Sequence, residues 1–293
     1  MVIIINVHSV INQASTMECL MPPTISVVIP FYNAEPFFSE VYKSICSQTI
    51  QPEEIIVVID GYSEKAEAFL KEYKNIKVVT PAENGGPAKA RNIGVSNATS
   101  ELIAFIDADD KWEANKLEKQ LEFLAKHPEF SACHTGIKTF SDNDIIATFN
   151  DKSFSLTLSE VLTACHVLPS SLMIKKSAFD AINGFDAKIR CSEDQEFTIR
   201  LISNDLKIGF LAEPLSYLRR EDQGNISSNG RNMVIGHFQV LKKHWSLFRK
   251  NKGTMPNYLY KTFMTAGGKS QGIERKLYSL AGHIIKLIFS VKE

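Results

Sequence analysis

Ile25-Ser-Val-Val-Ile29, closed by Pro30, and Ile55-Ile-Val-Val-Ile59, closed by Asp60-Gly61, decide the fold class. Both are short β-branched runs without polar alternation, which marks strands buried on both faces of a parallel sheet. Between them, Glu35 to Gln48 carries Phe38, Val41, Tyr42 and Ile45 at helical spacing. The order then repeats: a helix from Glu64 to Tyr73, a strand from Ile76 to Thr80, a glycine turn at Asn84-Gly-Gly86, a helix from Pro87 to about Asn97, and the strand Leu102-Ile-Ala-Phe-Ile106. Alternating βα units of this length predict an α/β protein with a mostly parallel central sheet flanked by helices.

The composition suits that class. The chain has 293 residues, of which 44% are hydrophobic and 23% charged, so disorder and fibre are excluded. Lys plus Arg equals Asp plus Glu at 33 each, leaving no overall field to hold nucleic acid. Five cysteines without a C-x-x-C pair fit neither a disulfide framework nor a zinc knuckle, so a reducing cytoplasm is the expected compartment. Residues 1–23 are read as an N-terminal extension. Met1 to Val7 is apolar but lacks the basic flank of a secretory signal, and Met17 and Met21 offer alternative starts. The chain has no G-x-G-x-x-G fingerprint, P-loop or H-E-x-x-H motif, and the histidines are read as fold residues, with His166 the one to watch.

Polar residues collect where strands end. Asn33, Asp60, Asn84 and Asp107 all fall on the carboxyl edge of the predicted sheet, where open parallel sheets bind ligands. Taken singly, each is ordinary turn chemistry. Asp107-Ala-Asp-Asp110 is different, because three carboxylates in four positions repel one another and a turn needs no such cluster. A hard divalent cation takes oxygen ligands and bridges to substrate phosphates, and this reading is preferred over a solvated acidic turn.

With these residues in place, a resemblance emerges. Ile25-Ser-Val-Val-Ile-Pro-Phe-Tyr-Asn33, Asn84-Gly-Gly-Pro-Ala-Lys-Ala-Arg-Asn92 and Ala104-Phe-Ile-Asp-Ala-Asp-Asp110 resemble, in order and spacing, the nucleotide-sugar half of the family 2 glycosyltransferases with the GT-A fold. Leu168-Pro-Ser-Ser-Leu-Met-Ile174, Gly184-Phe-Asp186 and Ser192-Glu-Asp-Gln-Glu-Phe197 resemble the acceptor half. The resemblance implies a GT-A catalytic region at residues 24–230, donor half 24–110 and acceptor half 111–230, followed by a helical tail at 231–293.

It also implies roles. Asp107-Ala108-Asp109 is similar to the family's D-x-D element, with Asp107 toward the ribose and Asp109 with Asp107 on Mn²⁺ or Mg²⁺; Asp110 would orient the loop. Pro30, Tyr32 and Asn33 would hold base and ribose, Asp60 would meet the uracil edge, and Arg91 would face the nucleotide unless it is a plain surface helical arginine. Asp194 resembles the catalytic base of an inverting transfer, with Glu193 positioning a neighbour or the acceptor. Ser192 followed by acids also reads as a helix N-cap. Acceptor contacts are expected around Leu168-Pro-Ser-Ser171.

Two positions depart from the pattern. Ile59 stands where relatives often carry an acid, and Glu221 or Asp222 stands where many place a histidine after the arginine. The Arg219-Arg220 pair would then contact phosphate, and Gly224 to Gly230 reads as a loop that closes over donor. The last segment, Arg275 to Lys292, has an apolar face flanked by Lys and Arg. It suits a helix lying in a membrane interface, or one docked on the catalytic domain or a second subunit.

The expected function is therefore metal-dependent, inverting transfer of one sugar, from a UDP-linked donor, to a hydroxyl of a saccharide or lipid-linked acceptor. The setting is cell-surface polysaccharide synthesis at the cytoplasmic side, with peripheral contact of the tail at the inner face of the membrane. The alternatives are a catalytically silent sugar-nucleotide binder and a sugar-1-phosphate nucleotidyltransferase; homo-oligomerisation is left open.

Overall fold

The computed structural model describes residues 23–142, 144–189, 191–220 and 229–291. The predicted residues 1–22, Glu221, Asp222 and the loop residues 224–228 lie outside them. Strands β1 (Ile25–Phe31), β2 (Glu54–Ile59), β3 (Ile76–Val79) and β4 (Leu102–Phe105) run parallel in the order β3-β2-β1-β4. Their crossovers are helices α1 (Glu35–Cys46), α2 (Glu64–Leu70) and α3 (Gly86–Ser96). The carboxyl ends of β1, β2 and β4 therefore share one edge.

β1 runs through Pro30 to Phe31 instead of stopping at the proline. Val28 accepts from the Ile106 N–H on the β4 side, and side alternation points the Pro30 nitrogen the same way. Pairing with β4 ends at Val28 with Phe105, so the missing N–H breaks no ladder bond. Gly94 explains how closely α3 seats on β1: a Cβ there would lie 2.3 Å from Val28 Cγ1.

Beyond β4 the chain adds β5 (Lys111–Trp112), α4 (Lys116–Lys126), β6 (Phe130–Ser141), β7 (Asp144–Phe149), α5 (Leu158–Thr163) and a 3-10 turn at Pro169–Ser171. Then follow β8 (Leu172–Lys175), α6 (Lys176–Ala181), α7 (Glu193–Ser203) and β9 (Lys207–Arg219). The sheet order continues β4-β8-β6-β9-β5, with β7 on β6. β8 is antiparallel to both β4 and β6, while β6 and β9 pair in parallel. Because β8 runs backward, its entry turn lands on the carboxyl edge of β4, beside the acidic loop.

Two apolar clusters sandwich the sheet. One contains Phe38, Val41, Ile45, Leu70, Leu117 and Phe123 from α1, α2 and α4. The other gathers α3, α5, α6 and α7 together with Val240, Leu241, Phe248 and Tyr258. Those four belong to the C-terminal helices α8 (Gly230–Lys243), α9 (Trp245–Lys250) and α10 (Thr254–Gly268), so these helices share the core of the acceptor half. The last helix, α11 (Gly272–Phe289), packs on α10. No helix among the described residues is long and apolar enough to cross a membrane.

Candidate donor and acceptor site

A cleft of about 560 Å³ opens at the carboxyl ends of β1 and β2, lined by Tyr32, Asn33, Asp60, Gly61, Tyr62 and Asn84 among others. Its size suits a nucleotide-sized ligand. Tyr32 and Tyr62 are both largely exposed at its walls. Asn33 sits at φ +49°, a left-handed turn conformation that asparagine tolerates. Asp60 is buried: its Oδ1 accepts from the backbone N–H groups of Gly85 at 2.7 Å and Gly86 at 3.2 Å. Asn84 donates to the Asp60 carbonyl at 2.9 Å. Asp60 thus welds the glycine turn to the end of β2, so part of its carboxylate is engaged by the protein itself. Ile59, at the position of departure, is a core side chain, 2% exposed.

The acidic loop lies at the end of β4. Asp110 is buried; its carboxylate accepts from Ser170 Oγ and from the Arg219 N–H at 2.9 Å. Ser170 Oγ also receives the Asp107 N–H at 3.0 Å. Arg219 Nε donates to the Asp109 carbonyl at 3.1 Å, and its Nη2 reaches Glu40 at 3.0 Å. Its guanidinium stacks between Phe37 and Phe140. The loop is therefore held from the 3-10 turn before β8 and from β9, with Asp110 as the residue they grip. Two expectations change here. Ser170 and Ser171 are buried and bonded inside the fold, so their hydroxyls do not face an acceptor. Arg219 is committed to the loop, while Arg220 beside it is exposed.

Burial, then the neighbouring Asp107 charge, pushes the Asp109 carboxyl up to about 6, against the pull of Arg219 and Arg220. Crowded negative charge of this kind is relieved by a cation. Among the described residues no cluster of three His, Cys, Asp or Glu side chains could hold a metal by itself. Two carboxylates suit Mg²⁺ or Mn²⁺ when substrate phosphates and water complete the shell. Asp107 and Asp109 thus fit an ion shared with a diphosphate, not one caged by protein.

Arg91 is not a surface arginine. It is 3% exposed, its Nη2 lies 2.6 Å from Asp107, and its Nη1 lies 3.0 Å from Glu193. Burial opposes its charge, but the two carboxylates outweigh that and raise its pKa. One guanidinium therefore joins the acidic loop of the donor half to the start of α7. The next residue, Asn92, closes the same seam: its amide donates to the Phe185 carbonyl and accepts from the Phe185 N–H, both at 2.8 Å. Gly184 leaves the space, since a Cβ there would lie 2.5 Å from Asn92 Oδ1.

At the start of α7, Ser192 takes a left-handed conformation at φ +69° and makes no side-chain cap. Ser192 thus stands at the N-cap position as read, and its carbonyl accepts from the Glu196 N–H, but its side chain caps nothing; Asp194 accepts from the Gln195 N–H at 2.7 Å. The Asp194 carboxyl is raised to about 6, first by burial and then by Glu193, with Gln195, Cys165 and Arg91 pulling the other way. Burial also lifts the Cys191 thiol and the Tyr258 phenol, each of which feels Asp194. Tyr258, on α10, donates to the His237 carbonyl and shares a core with Phe197, Ile199 and Leu201 of α7. Glu196, one turn on, is held at about 2: burial opposes this, but His244, Arg200 and Lys243 prevail.

The histidines behave as fold residues. Burial pushes His134 down to about 3 and His237 to about 4, and His166 is also lowered. Sequence reasoning missed Ser170 as the holder of the acidic loop, Asn92 as a clamp, and Tyr258 of the C-terminal helices as part of the core behind α7. Pro169-Ser-Ser171 carried the only local signal, a polar pair inside an apolar run.

Comparison with known proteins agrees with this architecture. A family model described as Glycosyl transferase family 2 matches residues 26–182. The chain is 30% identical over 236 residues to the putative teichuronic acid biosynthesis glycosyltransferase TuaG of Bacillus subtilis, covering 78% of this chain and 88% of that one. It is 27% identical over 229 residues to the UDP-Glc:alpha-D-GlcNAc-diphosphoundecaprenol beta-1,3-glucosyltransferase WfgD of Escherichia coli, covering 76% and 84%. Some matched rickettsial glycosyltransferases are longer, the chain spanning 29% and 38% of two of them. Among solved structures, S. aureus TarS 1-349 in complex with UDP-GlcNAc superposes with a TM-score of 0.60 at 20% identity, covering 91% of this chain and 89% of that one, which shows the GT-A fold. From motif order, sheet topology and these matches together, the chain belongs to glycosyl transferase family 2 and is a glycosyltransferase.

Proposed function

We propose that the protein moves one sugar from a UDP-linked donor to a hydroxyl of a saccharide or lipid-linked glycan, with inversion, in cell-surface polysaccharide synthesis. The observation that carries this reading is the Arg91 bridge, which sets Asp107 of the donor loop and Glu193 of the acceptor helix against one guanidinium. In this reading Tyr32, Asn33 and Asp60 of the cleft, with Pro30 just before them in β1, would hold base and ribose, and Asp107 and Ala108 would meet the sugar-diphosphate. The donor and acceptor classes are supported by the relatives' names: WfgD uses UDP-Glc and a diphosphoundecaprenol-linked sugar, and TuaG serves teichuronic acid.

Asp107 and Asp109 would hold Mg²⁺ or Mn²⁺, which supplies charge neutralisation on the departing diphosphate when bound. Asp194 then acts as the base. At about 6, its carboxyl is ionised at neutral pH yet basic enough to take the acceptor proton. The acceptor oxygen forms a bond to the anomeric carbon as the bond to the diphosphate oxygen breaks on the opposite face. The proton passes to Asp194, and UDP leaves. Glu193, bonded to Arg91, holds the start of α7 in place for this transfer. Four free thiols among the described residues suit a reducing cytoplasm, where the donor is met.

The test is transfer from UDP-Glc, UDP-GlcNAc or UDP-Gal to a GlcNAc-diphosphopolyprenol, followed by product mass and UDP release. Asp194→Asn should abolish transfer and keep calorimetric UDP binding, whereas Asp109→Ala should weaken Mn²⁺-supported UDP binding as well. Equal loss of binding in both variants would refute the division of roles.

A further inference from the structure

Helix α11 has two apolar sides. One faces α10, where Gly282 lies against Met264 and a Cβ would come within 2.8 Å of its sulfur. Gly267 of α10 similarly leaves room for Ser279. These close approaches fix the rotation of the helix. At roughly 100° per residue, Ile273, Leu277, Leu280, Ile284, Leu287 and Ile288 fall on one arc about 100° wide, centred opposite Gly282. All six are exposed, Leu287 at 83%. A stripe of this kind has nothing against it among the described residues, and an isolated soluble helix gains nothing by presenting it to water.

Charge says what covers it. Residues 231–293 carry twelve Lys and Arg against two Asp and Glu, whereas residues 1–230 carry 21 against 31. The neutral chain is therefore a basic tail on an acidic body. Lys276 borders the stripe on one side. Two tails meeting face to face would repel, while an anionic surface would attract both the basic residues and the apolar arc. We propose that the outer stripe of α11 lies in the interface of an anionic lipid bilayer, apolar arc down, with tail lysines and arginines at the headgroups. The ring chain Phe238–Phe263–Tyr278 ties α8, α10 and α11 together. Since α10 also packs through Tyr258 into the core it shares with α7, docking would hold the acceptor end of the site near the membrane. The proposal does not depend on which sugar or acceptor is used.

The experiment is co-sedimentation of the full chain with vesicles of phosphatidylglycerol and phosphatidylcholine, or of phosphatidylcholine alone. The expected result is at least about tenfold stronger partitioning to the anionic vesicles, weakened by high salt. The exposed triple variant Leu277→Ser, Leu280→Ser, Leu287→Ser should lose about tenfold or more of that binding while keeping its thermal midpoint and donor binding. Equal partitioning to neutral and anionic vesicles would overturn the proposal, as would undiminished binding by a folded triple variant. A wild-type dimer that the triple variant dissolves would also overturn it, by assigning the stripe to a second copy. Should the triple variant misfold, the lipid and salt comparison on wild type decides alone.

Discussion

Replacing Arg91 with methionine removes the positive charge between Asp107 and Glu193 while keeping a side chain of comparable length. The magnitude follows from burial. Breaking a buried ion pair by deleting one partner costs about 3–5 kcal/mol, because the remaining charge is left uncompensated. Here the arginine side chain is 4% exposed, but Asp107 is 35% and Glu193 15% exposed, so water takes up part of the loss. The lower end, about 3 kcal/mol, is expected. For a chain of this size that is about 6–12 °C in thermal midpoint. Urea unfolding of the wild type, Arg91→Met, Glu193→Gln and the double variant forms a cycle whose coupling should fall within about 0.5–3 kcal/mol. Activity should fall further than stability, because the acidic loop and the base lose their common brace; misplacement by about 1 Å costs on the order of 100-fold. Wild-type stability in Arg91→Met, or a coupling near zero, would refute the bridge.

Three other outcomes are expected. The pH profile of kcat/KM should rise through an apparent pKa of about 6, set by Asp194, and Glu193→Gln should move that limb to lower pH by removing the neighbouring charge; an unmoved limb would dissociate the two residues. Ser170→Ala should raise the donor KM and cost about 1–3 kcal/mol in urea unfolding, since Asp110 and the Asp107 N–H both lose a buried partner; unchanged donor kinetics would remove Ser170 from the support of the loop. Lys116, fully buried under the Trp112 ring, is depressed by burial from 10.5 to about 7. Its unfolded form therefore binds more protons between those values, so wild-type stability relative to Lys116→Met should climb as pH rises from about 7 to 10.5 and stay flat below; urea titrations showing no such slope would mean that the amine finds its charge compensated.

The parallel half was legible because burial on both faces writes itself as unbroken runs such as Ile55 to Ile59. Helical spacing marked α1, and the sheet edge followed from strand direction. The insertion of antiparallel β8 between β4 and β6 was not legible, since Leu172 to Lys175 is too short to declare its partners. For the same reason Ser170 read as an acceptor contact: only the reversed strand brings its hydroxyl to Asp110. The acids at 107–110 and 193–194 stood out by composition, but Arg91 between them did not, because the seam it closes spans 102 residues. Ser192 carries the residue type of a cap and stands at that position, yet with its left-handed backbone the side chain makes no capping bond.

The way the acidic loop is held has a consequence for folding order. Every donor motif lies before residue 111, yet the loop's anchors are Ser170 and Arg219, which lie 60 and 109 positions beyond Asp110. Such contacts form late, after the chain between them has closed its loops. The growing N-terminal half therefore emerges with its aspartates unanchored, and nucleotide has no finished seat until β9 has paired with β6. A nascent or truncated chain ending before Arg219 keeps every donor motif without the structure that aims them.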